Sequence, residues 1–293
     1  MICNTLNRGI DDNAYSLWLD SVDAYPSHIP ASLAAETPNT VFPAEDVAAL
    51  YRELFEALQV QRRLSGPRHI RRGQFEIASE VFAIQHIAGD FVTVFDFGDA
   101  TFFGLGDIEG KGLTAAMWSA HLMSLVRTYS ASLRDPGAVL QAVNRDLCAL
   151  GTGTPIVTMV LARLEWQRGE LLYSNAGHCL PFVKRANGDI ERLSVGGPAL
   201  AAIFNGNFET ARMDFSPMDL LVGYSDGLIE CRNPNGEEFG EERLLDHLRY
   251  SARRCADETL FSMIGAVQDF AAGAERTDDL TLMIVSGAET GRS

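Results

Sequence analysis

Thr101-Phe102-Phe103-Gly104-Leu105-Gly106-Asp107-Ile108-Glu109-Gly110-Lys111-Gly112-Leu113-Thr114-Ala115-Ala116 is the stretch that decides the fold. It opens as an apolar strand, passes through a glycine-rich turn and continues as an alanine-rich helix. Asp107 therefore ends a strand and stands near the positive end of a helix, beside free backbone N–H groups. Three more aspartates share this setting: Asp90 in Ala88-Gly89-Asp90-Phe91, Asp226 in Tyr224-Ser225-Asp226-Gly227, and Asp278 in Thr277-Asp278-Asp279-Leu280. A carboxylate at the end of an apolar strand is costly unless something positive meets it. Four such ends converging on one point would form a hard, oxygen-rich site suited to Mg2+ or Mn2+.

Outward from this stretch, the pattern predicts strands over Phe75–Ile84 and Phe91–Phe97, with a hairpin turn at Gly98-Asp99. Helices are expected over 112–130 and 136–150, the second with Asp135 as N-cap and Pro136 in its first position. Strands resume at Ile156–Leu164, Leu171–Ser174, Leu180–Lys184, Ile190–Leu193, Phe208–Met213 and Asp219–Tyr224. Helices over 240–254 and 257–272 precede a last strand, Leu280–Val285. Strands interrupted by two antiparallel helix pairs imply an α+β sandwich with sheets inside and helices outside.

Before this region, residues 1–43 form a polar, acidic, proline-containing arm that could dock through Tyr15, Leu17, Trp18 and Leu19. Residues 44–65 read as a helix with Val47, Leu50, Leu54, Leu58 and Leu64 near one stripe. That helix either lies on its own domain or serves as a dimerising, signal-transmitting element, and Gln61 weakens a strict heptad seam. Arg68, Arg71 and Arg72 read as a solvated linker. The expected division is thus an arm at 1–43, a linker or dimerisation helix at 44–71, a catalytic domain at 72–287 and a tail at 288–293.

The chain has 293 residues, is 46% hydrophobic and 22% charged, and can bury a sizeable core. No run of about 18 apolar residues suggests a membrane span, and the first residues lack the order of a secretory signal, so a cytoplasmic location is expected. A net charge of −15 argues against nonspecific nucleic-acid binding. Cys3, Cys148, Cys179, Cys231 and Cys255 are scattered, as free thiols in a reducing compartment are. Lysine occurs only at Lys111 and Lys184, the first inside the Asp107 motif.

In order along the chain, Ala-Gly-Asp-Phe, Gly-Asp-Ile-Glu-Gly-Lys-Gly with Ala115-Ala116, Asn175-Ala176-Gly177-His178, Ser225-Asp226-Gly227-Leu228-Ile229-Glu230 and Asp278-Asp279-Leu280-Thr281 resemble one family. It is the SpoIIE/RsbU-type branch of the metal-dependent PP2C-like serine/threonine phosphatases, and the resemblance covers roughly residues 72–287. The resemblance implies an α-β-β-α sandwich, here with an N-terminal helical extension. It implies two divalent cations, Mn2+ or Mg2+, and hydrolysis of phosphoserine or phosphothreonine by a metal-activated water. By motif position, Asp107 resembles the bridging carboxylate, with the Ile108 carbonyl as a further ligand. Asp226 and Asp278 resemble the carboxylates of the second metal, with Asp278 chosen over Asp279. Asp90 resembles the first-motif acid, acting directly or through water. The implied partner is a phosphorylated protein of the STAS-domain, anti-anti-sigma kind in bacterial signalling; charge and hydropathy lead us to expect no nucleic acid and no membrane, and residues 44–65 are read as a dimer or docking helix.

Three departures stand out. Ala88 replaces a glycine and Val92-Thr93 replaces Tyr-Asp, so one supporting carboxylate is missing. The loop after Asp107 reads Glu109-Gly110-Lys111-Gly112 where Ser-Gly-His-Gly is common, and Lys111 either holds phosphate or faces solvent. The phosphate-binding Arg of other branches has no counterpart. These departures keep a pseudophosphatase that only binds a partner as the alternative.

A second rival comes from His178-Cys179…Arg185, which has the spacing of cysteine phosphatases. Pro181 and the bulky Leu180, Phe182 and Val183 argue instead for a strand and a core thiol. His178 reads as a structural turn residue, and His86 as a residue that could face the site. Gly110-Lys111 lacks the remainder of a P-loop. Met117, Met123 and Trp118 are expected in helix packing.

Overall fold

The computed structural model describes residues 44–84, 87–250 and 255–287. The arm at 1–43, His86, the end of the helix expected to reach 254 and the tail at 288–293 lie outside the described residues. The elements from Leu50 onward form one compact unit.

Helix α1 spans Ala44–Ser65. The strands are β1 His69–Arg72, β2 Phe75–Phe82, β3 Phe91–Phe97, β4 Ala100–Ile108, β5 Val157–Glu165, β6 Glu170–Ala176, β7 Phe182–Lys184, β8 Ile190–Arg192, β9 Gly196–Gly197, β10 Ala211–Asp214, β11 Leu220–Tyr224 and β12 Leu280–Gly287. Between them run α2 Gly112–Leu133, α3 Pro136–Ala149, the single turn α4 Asp226–Ile229, α5 Gly240–Tyr250 and α6 Ala256–Ala271.

One sheet has the order β1-β2-β12-β11-β7-β8, the other β10-β6-β5-β4-β3 with β9 beside β6. Alternation along the central strands explains how both faces are dry. On β12, Met283 and Val285 pack between the sheets with Val92, Val94, Phe103 and Leu105. Its Leu280, Leu282 and Ile284 point the other way, onto Leu244, Leu260, Met263 and Val267 of α5 and α6. On the opposite sheet Phe91, Phe102, Met159 and Leu161 meet Leu122, Val126, Val139 and Leu140 of α2 and α3. Strands covered twice read as continuous apolar runs, because period-2 alternation shows only where one face is wet.

Asp135 caps α3 as its sequence predicts: the Ala138 N–H donates to its Oδ1 at 2.9 Å, with Pro136 next in the chain. Three expectations are corrected. The basic residues Arg71 and Arg72 are solvent-exposed as expected, but they lie in β1, an edge strand paired antiparallel with β2, rather than in a linker. Its charges are matched nearby, Arg72 by Asp96 and the preceding Arg68 by Glu80. Met117 is not in the helix packing; it lies on the outer face of α2, 67% exposed. Met123 is buried there, and Trp118 packs against the same cluster.

The stripe expected on α1 is turned differently. Leu50 and Leu64 are exposed and Leu54 and Leu58 half-buried, while Gln61 is buried. Its Nε2 donates to the Ala88 carbonyl at 3.1 Å and to Ser119 Oγ at 3.0 Å, and that hydroxyl donates on to the Ala116 carbonyl. Gln61 therefore ties α1 to α2 and to the loop carrying Asp90. Replacing it with Leu leaves a buried carbonyl without its donor, at a cost of about 1–3 kcal/mol. For a domain of this size that lowers the melting temperature by roughly 5 °C, readable by circular dichroism. An unchanged melting temperature would show that water replaces the amide.

Candidate metal centre

Strand register brings the acidic motifs to one end of the sandwich. Phe91 at the start of β3 pairs with Gly106, and Asp107 pairs with Thr158 on β5. On the other sheet, Tyr224 at the end of β11 pairs with Leu282, and Leu280 pairs with Phe82. Gly227 closes the approach between α4 and the last strand. A Cβ built there would stand 1.9 Å from the Asp279 carbonyl oxygen, so only glycine lets the Asp226 turn lie against Asp278-Asp279.

The acids hold different positions. Asp107 is half-buried, and Asp226 is exposed as the first residue of α4. Burial, followed by the charges of Asp226 and Asp278 and then Asp279, raises the Asp107 carboxyl to about 6. Asp90 is buried at 3% exposure. The Thr281 hydroxyl donates to its Oδ2 at 2.6 Å, and the Ser225 hydroxyl, which accepts the Thr281 N–H, lies close enough to favour the charged form. Burial is the main reason its pKa lies well above the ordinary carboxylate range, with Asp107 and Asp279 adding repulsion.

Asp278 and Asp279 are neighbours with opposite surroundings. Both Asp279 oxygens accept backbone N–H groups, from Ile84 and from Gly89, each at 2.7 Å. Asp278 is 48% exposed, and Lys111 Nζ donates to its Oδ1 and to the Thr277 carbonyl, both at 3.1 Å. Asp279 is thus a brace for the Asp90 loop, and Asp278 is the open carboxylate.

A cradle lies under the Asp90 loop. A Cβ on Gly89 would come within 3.2 Å of the Gly110 carbonyl oxygen, 3.3 Å of the Ile108 carbonyl oxygen and 3.5 Å of Asp107 Oδ1. Glycine keeps that volume free beside three oxygens. An all-oxygen donor set of carboxylates and carbonyls suits a hard divalent cation, which would also relieve the repulsion felt by Asp107. Among the described residues no group of three or more Asp, Glu, His or Cys side chains is placed to hold a metal ion by itself, so a cation here would also need the backbone carbonyl oxygens.

Position 93, where the family motif has an acid, lies on the face of β3 that carries Phe91 and Phe95, under α2 and α3. Thr93 there is buried with its hydroxyl unpartnered. An acid at 93 would therefore face the helices, whereas Asp90, just before the strand, meets Thr281 of the other sheet.

Several residues that the sequence reading gives no ligand role shape the site. Ser225 and Thr281 are fully buried and clasp one another through backbone and hydroxyl bonds while holding Asp90. Thr158, beside Asp107, bonds His178 Nδ1 at 2.9 Å. The His178 N–H donates to Asn175 Oδ1, and Asn175 Nδ2 donates back to the His178 carbonyl. His178 Nε2 lies near the Tyr224 backbone without a hydrogen bond of ordinary geometry. Burial lowers this imidazole to about 4, so it is neutral and structural at pH 7. A hydroxyl one strand away from an acid carries no pattern of its own in a single sequence.

The cysteine rival fails on geometry. Arg185 is committed to Glu191 and Asp219, and the segment before it is β7 rather than a phosphate loop. Burial, followed by the charge of Asp226, pushes the Cys179 thiol to about 12, which leaves roughly one part in ten thousand as thiolate at pH 8. Cys179→Ser should keep most activity, and iodoacetamide at pH 8 should label Cys179 slowly while EDTA abolishes turnover. Rapid inactivation tracking Cys179 alkylation would reinstate the cysteine mechanism.

The fold is that of the PP2C-like phosphatases, and this chain belongs to the SpoIIE family: the family described as Stage II sporulation protein E (SpoIIE) matches residues 98–287. It is 27% identical over 243 residues to protein IcfG of Synechocystis, covering 72% of this chain and 38% of that protein. It is 23% identical over 240 residues to phosphoserine phosphatase RsbU of Bacillus subtilis, covering 80% of this chain and 69% of RsbU. Among solved structures, the SiaA-PP2C domain of Pseudomonas aeruginosa superposes with a TM-score of 0.70 at 17% identity, covering 83% of this chain and 98% of that domain. No helix of the described residues is long and apolar enough to cross a membrane.

Proposed function

We propose that the chain is a metal-dependent protein phosphatase that hydrolyses phosphoserine or phosphothreonine, its catalytic domain spanning residues 72–287. The observation that carries this is the placement of Asp107 beside Asp226, Asp278 and Asp279 and next to the Gly89 cradle with its backbone oxygens. Asp107 and the Ile108 carbonyl would hold one side of a two-cation site, Asp226 and Asp278 the other. Asp90, already bonded to Thr281, would act from behind. Two Mn2+ or Mg2+ ions, when bound, supply an activated water and offset charge on the phosphoryl oxygens.

The protein's own part is positioning. Asp279 holds the Asp90 loop through two N–H bonds, and His178 and Thr158 steady the strand beside Asp107. The uncapped N-terminus of α2 opens beside Asp107 with no acidic residue in its first turn, which favours an anionic group there. No side chain is required as nucleophile.

The likeness to RsbU supports a phosphorylated protein substrate, in our reading a STAS-domain anti-anti-sigma factor in the bacterial cytoplasm. The exposed Leu50, Val60 and Leu64 on α1 support a homodimer through that helix. The ion pair that Lys111 makes with Asp278 favours a second reading, a pseudophosphatase that binds a partner. Purified protein with Mn2+ should release phosphate from phosphoserine peptides and from an aryl phosphate, and EDTA should stop it. Normal Mn2+ uptake with no turnover on any substrate would decide for the pseudophosphatase.

A further inference from the structure

Lys111 is one of two lysines in the chain, and its position is peculiar. It is the N-cap residue of α2 without capping through its side chain. Its ammonium instead reaches Asp278 Oδ1 and the Thr277 carbonyl, more than 160 residues along the chain. Lys111 and Asp278 side chains are each about half exposed, at 51% and 48%. An ion pair this exposed is weak, so a divalent cation can displace it. The carboxylate it holds is also the one left open by its neighbour, because Asp279 is occupied by backbone N–H groups.

We propose that Lys111 is a cation with two positions. Without metal, its ammonium sits on Asp278 and partly neutralises the acidic group of Asp107, Asp226 and Asp278. When a divalent cation takes the Asp226–Asp278 side, like-charge repulsion expels the ammonium from that carboxylate. The side chain, anchored at the α2 N-terminus, then holds the phosphate of the substrate. This rests on the metal-dependent reading above and adds to it an internal competitor that becomes a substrate ligand.

The test is calorimetric. Mn2+ is titrated into the full chain as wild type, Lys111→Met, Asp278→Asn and the double variant, and inorganic phosphate is then titrated into each Mn2+-loaded protein. Lys111→Met should tighten the weaker Mn2+ step by roughly two- to fivefold, the strength of an exposed ion pair. It should weaken phosphate binding by about tenfold, as expected for loss of one charge-assisted contact. In the Asp278→Asn background the effect of Lys111→Met on Mn2+ should vanish, since the pair is already broken. Lys111→Arg, which keeps the charge, should restore Mn2+ affinity toward wild type. Equal or weaker Mn2+ binding by Lys111→Met, or unchanged phosphate binding, would overturn the proposal while leaving the metal reading intact. Absence of Mn2+ binding in the wild type would remove both.

Discussion

Asp107→Asn should lower Mn2+-dependent phosphatase activity by at least about a thousandfold, equivalent to roughly 4 kcal/mol of transition-state stabilisation. Asparagine keeps the shape and one acceptor oxygen but cannot supply a charge. The same substitution should stabilise the metal-free protein. The Asp107 carboxyl is raised from its ordinary 3.8 to about 6, so between those pH values the folded chain holds a proton that the unfolded chain has released. Stability of the metal-free wild type therefore falls as pH rises through this window and stays lower above it. An amide has no proton to lose in this range, and the Asp107→Asn variant should melt higher than wild type at pH 7.5 in EDTA. Activity lost together with a lower melting temperature would mean that Asp107 is structural and would count against the metal site.

Asp278 and Asp279 should separate cleanly. Asp279→Ala removes two hydrogen bonds from a carboxylate to the Ile84 and Gly89 N–H groups. Bonds of this kind contribute about 1.5–3 kcal/mol each, so the domain should lose on the order of 3 kcal/mol and melt roughly 6–12 °C lower. Asp278→Ala removes only a half-exposed pair with Lys111, worth up to about 1 kcal/mol. Its melting temperature should stay within about 3 °C of wild type, while Mn2+-dependent activity drops about a hundredfold or more. Scanning calorimetry and a phosphatase assay on both variants check this. The opposite outcome, a stable but inactive Asp279→Ala and an unstable Asp278→Ala, would exchange their roles.

Much of the architecture was legible in the chain. Strand β3, the Asp135 cap and the strand–turn–helix around Asp107 follow from apolar runs, cap chemistry and glycine placement, all of which act locally. The basic strand β1 was not legible, because Ile70 is its only buried residue and its pairing with β2 is an edge contact. The inward turn of Gln61 was hidden for a similar reason. A glutamine on a helical stripe looks like a defect in a seam until the Ala88 carbonyl and Ser119 are brought to meet it.

The four aspartate motifs, their glycines and their order along the chain were determined by sequence, because a turn, a strand end and a helix start are properties of neighbouring residues. Tertiary structure decided which oxygen faces what. Adjacent in sequence, Asp278 and Asp279 differ because one meets Lys111 and the other meets two backbone N–H groups some 190 residues away. Asp90 is held by the Thr281 hydroxyl, and Thr281 is in turn clasped by Ser225 from the end of another strand. The physical reason is that a carboxylate's role depends on the charges, donors and solvent around it, and the packing of two sheets brings those together from distant parts of the chain.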